Sequence, residues 1–199
     1  MGNNDLFDFK FDDDENCWSV TGYKGKTKEV IFPAFYEDKP IKKIACVFSK
    51  KQKKRIKSVV IPEGYTIIGE KTFSDCKKLT NIELPESLTS IECDAFLFCK
   101  RLISINLPKS LISIGAFAFR CCKGLTSIEL PESITSIEPW VFNACTGLTS
   151  IKLPKNLTSI EDEAFNRCKR LKNIELPKSL ASIADRVFKG FKGQFIYSD

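Results

Sequence analysis

The 199-residue chain contains no histidine. Without an imidazole, the chain alone cannot build a Ser-His-Asp triad, a Cys-His dyad or a histidine metal site. No stretch approaches the ~20 consecutive apolar residues that a membrane-spanning helix needs. The Ser, Lys and Asp residues show no spacing that would unite them into a catalytic site. We therefore predict a protein that is not an enzyme, holds no cofactor or metal and has no transmembrane segment.

The N-terminal residues also lack a targeting signal. Residues 1–15 are polar and acidic, whereas a secretory signal has a basic region followed by an apolar one. Position 6 is Leu6, where N-myristoylation requires Ser or Thr. A cytoplasmic location is the direct expectation, and a cell-surface location is the alternative if an export signal was removed.

The chain has nine cysteines, and an odd count without a signal argues against a disulfide framework. Five of them are spaced evenly, 23 residues apart: Cys76, Cys99, Cys122, Cys145 and Cys168. In a stacked fold, neighbours in this column would lie ~5 Å apart, with their side chains pointing the same way into the core. A buried free cysteine behaves as a small hydrophobe. We therefore predict a reduced, buried column and no metal or redox site.

The same period governs the other apolar positions. A leucine lies three residues after each cysteine, an isoleucine six residues after it, and a Leu-Pro pair follows. An Ala-Phe or Val-Phe pair closes each of five units, with the phenylalanines Phe96, Phe119, Phe142, Phe165 and Phe188, and an upstream copy of the unit ends at Phe73. One such unit cannot bury its own apolar face, but stacked units can, because each apolar column lies on that of its neighbour. The sequence therefore predicts a solenoid with one short strand per unit, which the proline ends.

The ends of a solenoid expose its core and need caps. We predict four segments: a flexible acidic arm over 1–16, a divergent N-terminal capping repeat over 17–52, six repeats over 53–190 and a C-terminal cap strand over 191–199. The capping repeat follows the pattern of the other units with an insertion over 34–40.

The complete unit, Cys-x-x-Leu-x-x-Ile-x-Leu-Pro-x-x-Leu-x-x-Ile-x-x-x-Ala-Phe, resembles the BspA-like leucine-rich repeat family, also called the Treponema pallidum type. The run over 122–137 carries the resemblance clearly. The resemblance implies a leucine-rich repeat solenoid: a curved right-handed stack of 23-residue units with a parallel β-sheet on the concave side, short extended segments and turns elsewhere, and little α-helix. It also implies a family often found on microbial surfaces, whose members adhere to host matrix proteins or other cells.

Exposed positions beside each inward isoleucine should line the concave sheet. They are mostly small or polar: Asn81, Glu83, Ser104, Asn106, Ser127, Glu129, Ser150 and Lys152. We predict a shallow protein-binding surface here. The alternative is a solvated sheet face that has no partner.

Phe117 and Trp140 occupy the same position in adjacent units, where other units carry Lys71, Asp94, Glu163 and Arg186. We therefore expect both rings to face solvent, with Leu97 and Phe98 nearby. An exposed apolar patch is typical of an interface, and Trp and Phe are favoured in interface cores. In the alternative interpretation, the rings fold down over the neighbouring core.

Cations recur at the turn after the cysteine position: Lys54-Arg55, Lys77-Lys78, Lys100-Arg101, Lys123 and Lys169-Arg170. They contribute to a net charge of +6. Such an edge can steer anionic partners or simply keep the protein in solution. Because no aromatic residues alternate with these cations for base stacking, we do not expect a nucleic-acid partner.

These features predict a protein-protein interaction or adhesion module, which presents an extended repeat surface to a macromolecular partner such as a host matrix or cell-surface protein. The alternative is a homo-oligomeric structural scaffold that uses the aromatic patch.

Overall fold

The computed structural model describes residues 3–45 and 48–197. The chain forms a solenoid of stacked turns with almost no helix: a 3-10 helix over Asn3–Leu6 and one α-helix, α1 (Lys50–Lys53). In chain order the strands are β1 (Phe7–Asp12), β2 (Cys17–Tyr23), β3 (Glu29–Ile31), β4 (Phe35–Tyr36), β5 (Lys39–Ile44), β6 (Ser58–Val60), β7 (Ile67–Ile68), β8 (Asn81–Glu83), β9 (Ser90–Ile91), β10 (Ser113–Ile114), β11 (Ser127–Glu129), β12 (Ser136–Ile137), β13 (Ser150–Lys152), β14 (Ser159–Ile160), β15 (Asn173–Leu176), β16 (Ser182–Ile183) and β17 (Gln194–Tyr197). No helix in this part of the chain has the length and apolarity needed to cross a membrane.

Two parallel ladders run along the stack. The front ladder comprises three sheets, β3-β6-β8, β11-β13 and β15-β17, and the second ladder comprises two, β1-β2-β5-β7-β9-β10 and β12-β14-β16. Every neighbouring pair in them is parallel except β1 with β2, which is antiparallel. Within the repeats, Ile128 pairs with Ile151 and Ile137 with Ile160, so the strands repeat every 23 residues. The predicted leucine-rich repeat solenoid is confirmed, and the second extended segment of each unit forms a ladder of its own.

The phenylalanine column lies at the centre of the stack. Phe119 is fully buried, and its ring stacks between those of Phe96 and Phe142, with centroids 5.3 and 5.7 Å away. The rings of Phe142 and Phe165 continue the column at 5.5 Å. Because these rings come from successive units, the column couples each turn to the next.

The evenly spaced cysteines are free and buried. Each of the last four donates a thiol hydrogen bond to a carbonyl 26 residues earlier, as from Cys145 Sγ to Phe119 O at 3.1 Å. Burial raises the pKa of the Cys76 and Cys168 thiols to about 12 and holds the pKa of the three between them well above the usual 9.0. The column is therefore a protonated part of the core.

The N-terminal segment differs from the expected flexible arm. Strand β1 pairs antiparallel with β2, with Phe7 opposite Tyr23. The Phe7 side chain is buried against Tyr23 and Phe32, with ring centroids 5.1 and 5.3 Å away. Residues 7–12 of the expected flexible arm therefore form a paired strand with Phe7 in the core, and the segment boundaries themselves stay a prediction. The acidic residues that follow form the turn between the two strands.

The two ends of the stack depart from the 23-residue register. Val30 pairs with Val59 at the start, and the insertion before β5 is a hairpin in which Phe35 pairs with Pro40. At the other end Ile174 pairs with Phe195, a spacing of 21 residues. Strand β17 lies within the predicted cap segment 191–199, whose last two residues fall outside the described part of the chain. Whether these terminal segments act as caps stays a prediction.

Candidate functional site

The front ladder carries a shallow depression of about 620 Å³ on its exposed side. It extends over three successive turns, with serine at the same position in each and charged or polar residues beside it. Its lining includes six of the residues expected in the binding surface: Ser104, Asn106, Ser127, Glu129, Ser150 and Lys152. The structure therefore places these six side by side. Asn81 and Glu83 are exposed on β8, outside the lining.

The floor of the depression is apolar and its rim is charged. Ile105, Ile128 and Ile151 each follow one of the serines and are 5 to 8 % exposed, so their side chains belong to the core and present only an edge. Lys152 Nζ pairs with Glu129 Oε1 across neighbouring strands, and this hydrogen bond raises the pKa of the lysine. Both side chains are more than half exposed, so a partner can separate them at little cost.

The depression lies where the front ladder is interrupted. Residues 104–106 form no strand, although the equivalent residues of the units on either side do. In several other units a threonine hydroxyl bonds the turn before, as from Thr80 Oγ1 to Lys57 O at 3.1 Å and from Thr89 Oγ1 to Thr66 O at 3.0 Å. The unit that begins at Cys99 has Ile103 and Ile112 at these two positions. Isoleucine cannot donate these bonds, which weakens the attachment of this unit to the turn before it.

Phe117 and Trp140 stack on each other, with ring centroids 5.9 Å apart and an angle of 22° between planes. The Arg120 guanidinium lies over both rings, at 5.7 and 5.1 Å from their centroids. The rings are half-buried, so part of each faces solvent, and their use as an interface stays a prediction. Their mutual stacking and the arginine cover part of each ring.

Leu97 and Phe98 are half-buried as well, and the Lys100 ammonium lies 5.8 Å from the Phe98 centroid. The backbone N–H of Phe98 donates to Arg120 O at 3.0 Å, which places the two residues on adjacent turns. We call Leu97, Phe98, Phe117, Arg120 and Trp140 together the aromatic patch. Arg120 is the member that sequence reasoning missed, and its Nε is buried without a hydrogen-bond partner.

The backbone of the aromatic patch is left-handed. Phe98, Phe117 and Trp140 have φ values of 60°, 61° and 65°. Two positions in most turns share this conformation, and nearly all are occupied by residues other than glycine, including Asp75 and Ala144. Apart from glycine, Asn and Asp are the residues that adopt this conformation most often, and other L-residues seldom do. The sequence carries no signal for these turns, since most glycines lie elsewhere.

A buried polar cluster lies between the later turns. The Glu163 carboxylate accepts hydrogen bonds from the amides of Asn143 and Asn166 at 3.3 and 2.6 Å, and Arg186 pairs with it at 3.2 Å. These partners satisfy the buried charge and join three successive turns, which is a structural role. Among the residues that the structure describes, no group of three or more His, Cys, Asp or Glu side chains is placed to hold a metal ion.

Comparisons with known proteins agree with this architecture. The family described as BspA type leucine rich repeat region matches residues 45–139 and 66–195, in 6 copies. The crystal structure of a leucine-rich repeat protein from T. pallidum is similar over 98% of each chain, with 28% identity and a TM-score of 0.86. No curated protein matches the sequence.

Two further solved structures are longer than this chain. A leucine-rich cell surface protein from Faecalibacterium prausnitzii is 26% identical, with a TM-score of 0.83, and the match covers 96% of this chain and 53% of that one. A leucine-rich repeat protein from Bacteroides ovatus is 28% identical, with a TM-score of 0.69, and the match covers 95% of this chain and 56% of that one. The chain thus spans about half the length of these two proteins.

Proposed function

Because the chain belongs to the BspA-type leucine-rich repeat family, we propose that it is a protein-interaction module that binds an extended segment of a partner on its front ladder. Leucine-rich repeat proteins are generally interaction modules, and such solenoids bind through extended surfaces. The observation that carries the proposal is the depression of about 620 Å³ that six residues of the expected surface line together. Adhesion to a matrix or cell-surface protein is one use of such a module, and the similarity to a cell surface protein supports it.

The geometry favours an extended peptide over a compact ligand. The depression is shallow and follows the stacking direction across three turns, whereas small-molecule sites are concave and bury most of the ligand. Three successive serines, Ser104, Ser127 and Ser150, keep side-chain bulk low along it. A partner backbone can therefore come close to the sheet, and the Glu129–Lys152 pair at the rim can exchange its charges with those of the partner.

Filling the depression is expected to abolish this binding. In the double variant Ser127→Tyr, Ser150→Tyr, two rings occupy the space above β11 and β13, at exposed strand positions that tolerate tyrosine. Peptides selected from a random phage-displayed library on the wild-type protein should bind the variant at least about tenfold more weakly, a loss of about 1.4 kcal/mol. Isothermal titration calorimetry with the synthetic peptides measures the difference.

The matched control carries the same change on the second ladder, Ser113→Tyr, Ser182→Tyr, where both serines are also exposed. It should bind the selected peptides within about twofold of wild type. The thermal midpoints of both variants should match that of the wild-type protein, because surface changes of this kind alter stability little. Equal binding by both variants, or a library that yields no enriched peptide, would overturn the proposal.

A second use, self-association through the aromatic patch, is favoured by one observation. Leu97, Phe98, Phe117 and Trp140 are only half-buried and lie together on adjacent turns, and an exposed apolar patch is typical of an interface. On this proposal the wild-type protein at high concentration should show at least twice the mass of one chain in light scattering. The variant Phe117→Ser, Trp140→Ser should show the mass of one chain, whereas a monomeric wild type would exclude this use.

A further inference from the structure

One edge of the solenoid carries charges of a single sign. In each repeat the two residues after the cysteine position form the turn that leads into the front ladder, and every charged residue there is Lys or Arg. We call the following residues the cationic edge: Lys54, Arg55, Lys77, Lys78, Lys100, Arg101, Lys123, Lys169, Arg170 and Lys192. The other positions in these turns hold Gly124, Thr146, Gly147 and Gly193.

Close backbone stacking brings the cationic edge into line. A Cβ added to Gly124 would lie 2.9 Å from Lys100 O, and one added to Gly147 would lie 2.3 Å from Lys123 O. The turns therefore pack closely at these two positions, and in other repeats Lys78, Arg101 and Arg170 occupy the equivalent place. Side chains at the edge therefore start from backbones about 4.8 Å apart, the spacing of neighbouring strands, and their cations form a row along the stack.

This row is largely without counter-charges. Of the ion pairs found among residues 3–45 and 48–197, one involves the cationic edge, between Lys77 Nζ and Asp75 at 3.2 Å. A surface that serves only solubility usually mixes both signs, as the position ten residues after the cysteine does with Glu86, Lys109, Glu132, Lys155 and Lys178. Like charges held this close repel one another, and a bound polyanion would relieve the repulsion.

The row ends in two depressions that could seat anionic groups. One of about 500 Å³ is lined by Lys169, Arg170, Lys172 and Lys192, and no carboxylate belongs to its lining. The other, of about 490 Å³, lies at the opposite end and is lined by Lys26, Lys28 and Arg55 together with one carboxylate, that of Glu29. Between them the neutral turn at Thr146 and Gly147 is the one break in the row.

We propose that the cationic edge binds a linear sulfated polysaccharide along its length. Such a chain carries anionic groups at regular intervals on a narrow backbone, which matches a row with cations in successive turns. A nucleic acid fits less well, because no aromatic residue stands at these positions for base stacking. The Phe98 ring beside the row is covered by Lys100. The α-helix in the described part of the chain is four residues long, too short to read a groove.

The proposal predicts salt-dependent binding of a heparin dodecasaccharide to the complete protein. If about four anionic groups are neutralised, the affinity should fall about 100-fold between 50 and 200 mM salt, by the counterion release seen for nucleic acids. The triple variant Lys169→Ser, Arg170→Ser, Lys192→Ser should bind at least about tenfold more weakly at 50 mM salt. Its affinity should also depend less steeply on salt, because fewer ions are released.

The matched control removes the same charge from another column, with Lys109→Ser, Lys155→Ser and Lys178→Ser, all exposed. It should bind heparin within about twofold to threefold of wild type, and so should Ser127→Tyr, Ser150→Tyr, which separates this site from the proposed peptide site. Equal losses in both lysine variants would mean attraction by net charge alone and would overturn the proposal. Single-stranded DNA of equal charge that binds as tightly as heparin would also overturn it, as would the absence of heparin binding at 50 mM salt.

Discussion

Raising the pH from 9 to 11 is expected to lower the free energy of unfolding by about 4 to 5 kcal/mol through Cys76 and Cys168 alone. Burial raises the pKa of each thiol from 9.0 to about 12. In the unfolded chain the same thiols ionise near pH 9, so between pH 9 and 12 the folded state binds more protons than the unfolded state. The stabilisation is therefore complete below pH 9 and is lost as the pH rises, at about 1.4 kcal/mol per thiol and pH unit.

The thiols of Cys99, Cys122 and Cys145 have a pKa raised in the same direction and should steepen the loss. Urea unfolding under reducing conditions at pH 8, 9, 10 and 11 measures it. The control variant Cys76→Ala, Cys168→Ala should be less stable at pH 8, because it leaves two small cavities. The free energy of unfolding of this variant should fall less steeply with pH, because unfolding releases about two fewer protons. A wild-type stability that stays constant to pH 11, or the same slope in both proteins, would contradict the prediction.

Phe119→Ala is expected to lower the free energy of unfolding by about 3 to 5 kcal/mol, as buried Phe→Ala changes do. The ring is fully buried and contacts a phenylalanine in the turn on either side. In a solenoid each turn contacts only its neighbours. The cavity therefore weakens two turn-to-turn interfaces at once, and the centre of the stack cannot easily close over it.

Urea denaturation of Phe119→Ala beside Glu129→Ala tests the assignment of inward and outward positions. Glu129 is 66% exposed in its side chain, so its truncation should change the stability by no more than about 0.5 kcal/mol. Ile128→Ala, next to it in sequence but 5% exposed, should cost about 2 to 5 kcal/mol. Similar small effects at all three positions would mean that these side chains do not form the internal columns described above.

The 23-residue period predicts the fold because it determines which side chains stack on one another in successive turns. Phe119, Phe142 and Phe165 stack as their spacing predicts, and the cysteines are buried at every repeat. Side chains at equal intervals in stacked turns must meet, whatever the local shape of each turn. Six residues of the front ladder could be placed on one surface for the same reason.

Features that break the period were harder to predict. Strand β1 alternates phenylalanine with charged residues, a pattern typical of a half-buried strand, but the acidic run after it favours a solvated arm. The pairing of Ile174 with Phe195 depends on a last turn that is two residues shorter. The half-burial of Phe117 and Trp140 depends on where the Arg120 side chain lies, and a periodic pattern carries no information on that choice.

The breaks in strand pairing near the unit that begins at Cys99 affect how well the local backbone is protected from solvent. The front ladder stops between β8 and β11 and again between β13 and β15, and the second ladder stops between β10 and β12. The turns on the remaining side stay joined there, with Phe119 N–H donating to Val141 O at 3.0 Å and Cys121 N–H to Asn143 O at 2.8 Å. On the front side Thr126 N–H still donates to Ile103 O at 3.0 Å, so the strand pairing is reduced there but not lost. Because fewer strand hydrogen bonds join the turns beside the depression, the backbone amides there are expected to exchange with solvent faster than those of the paired strands.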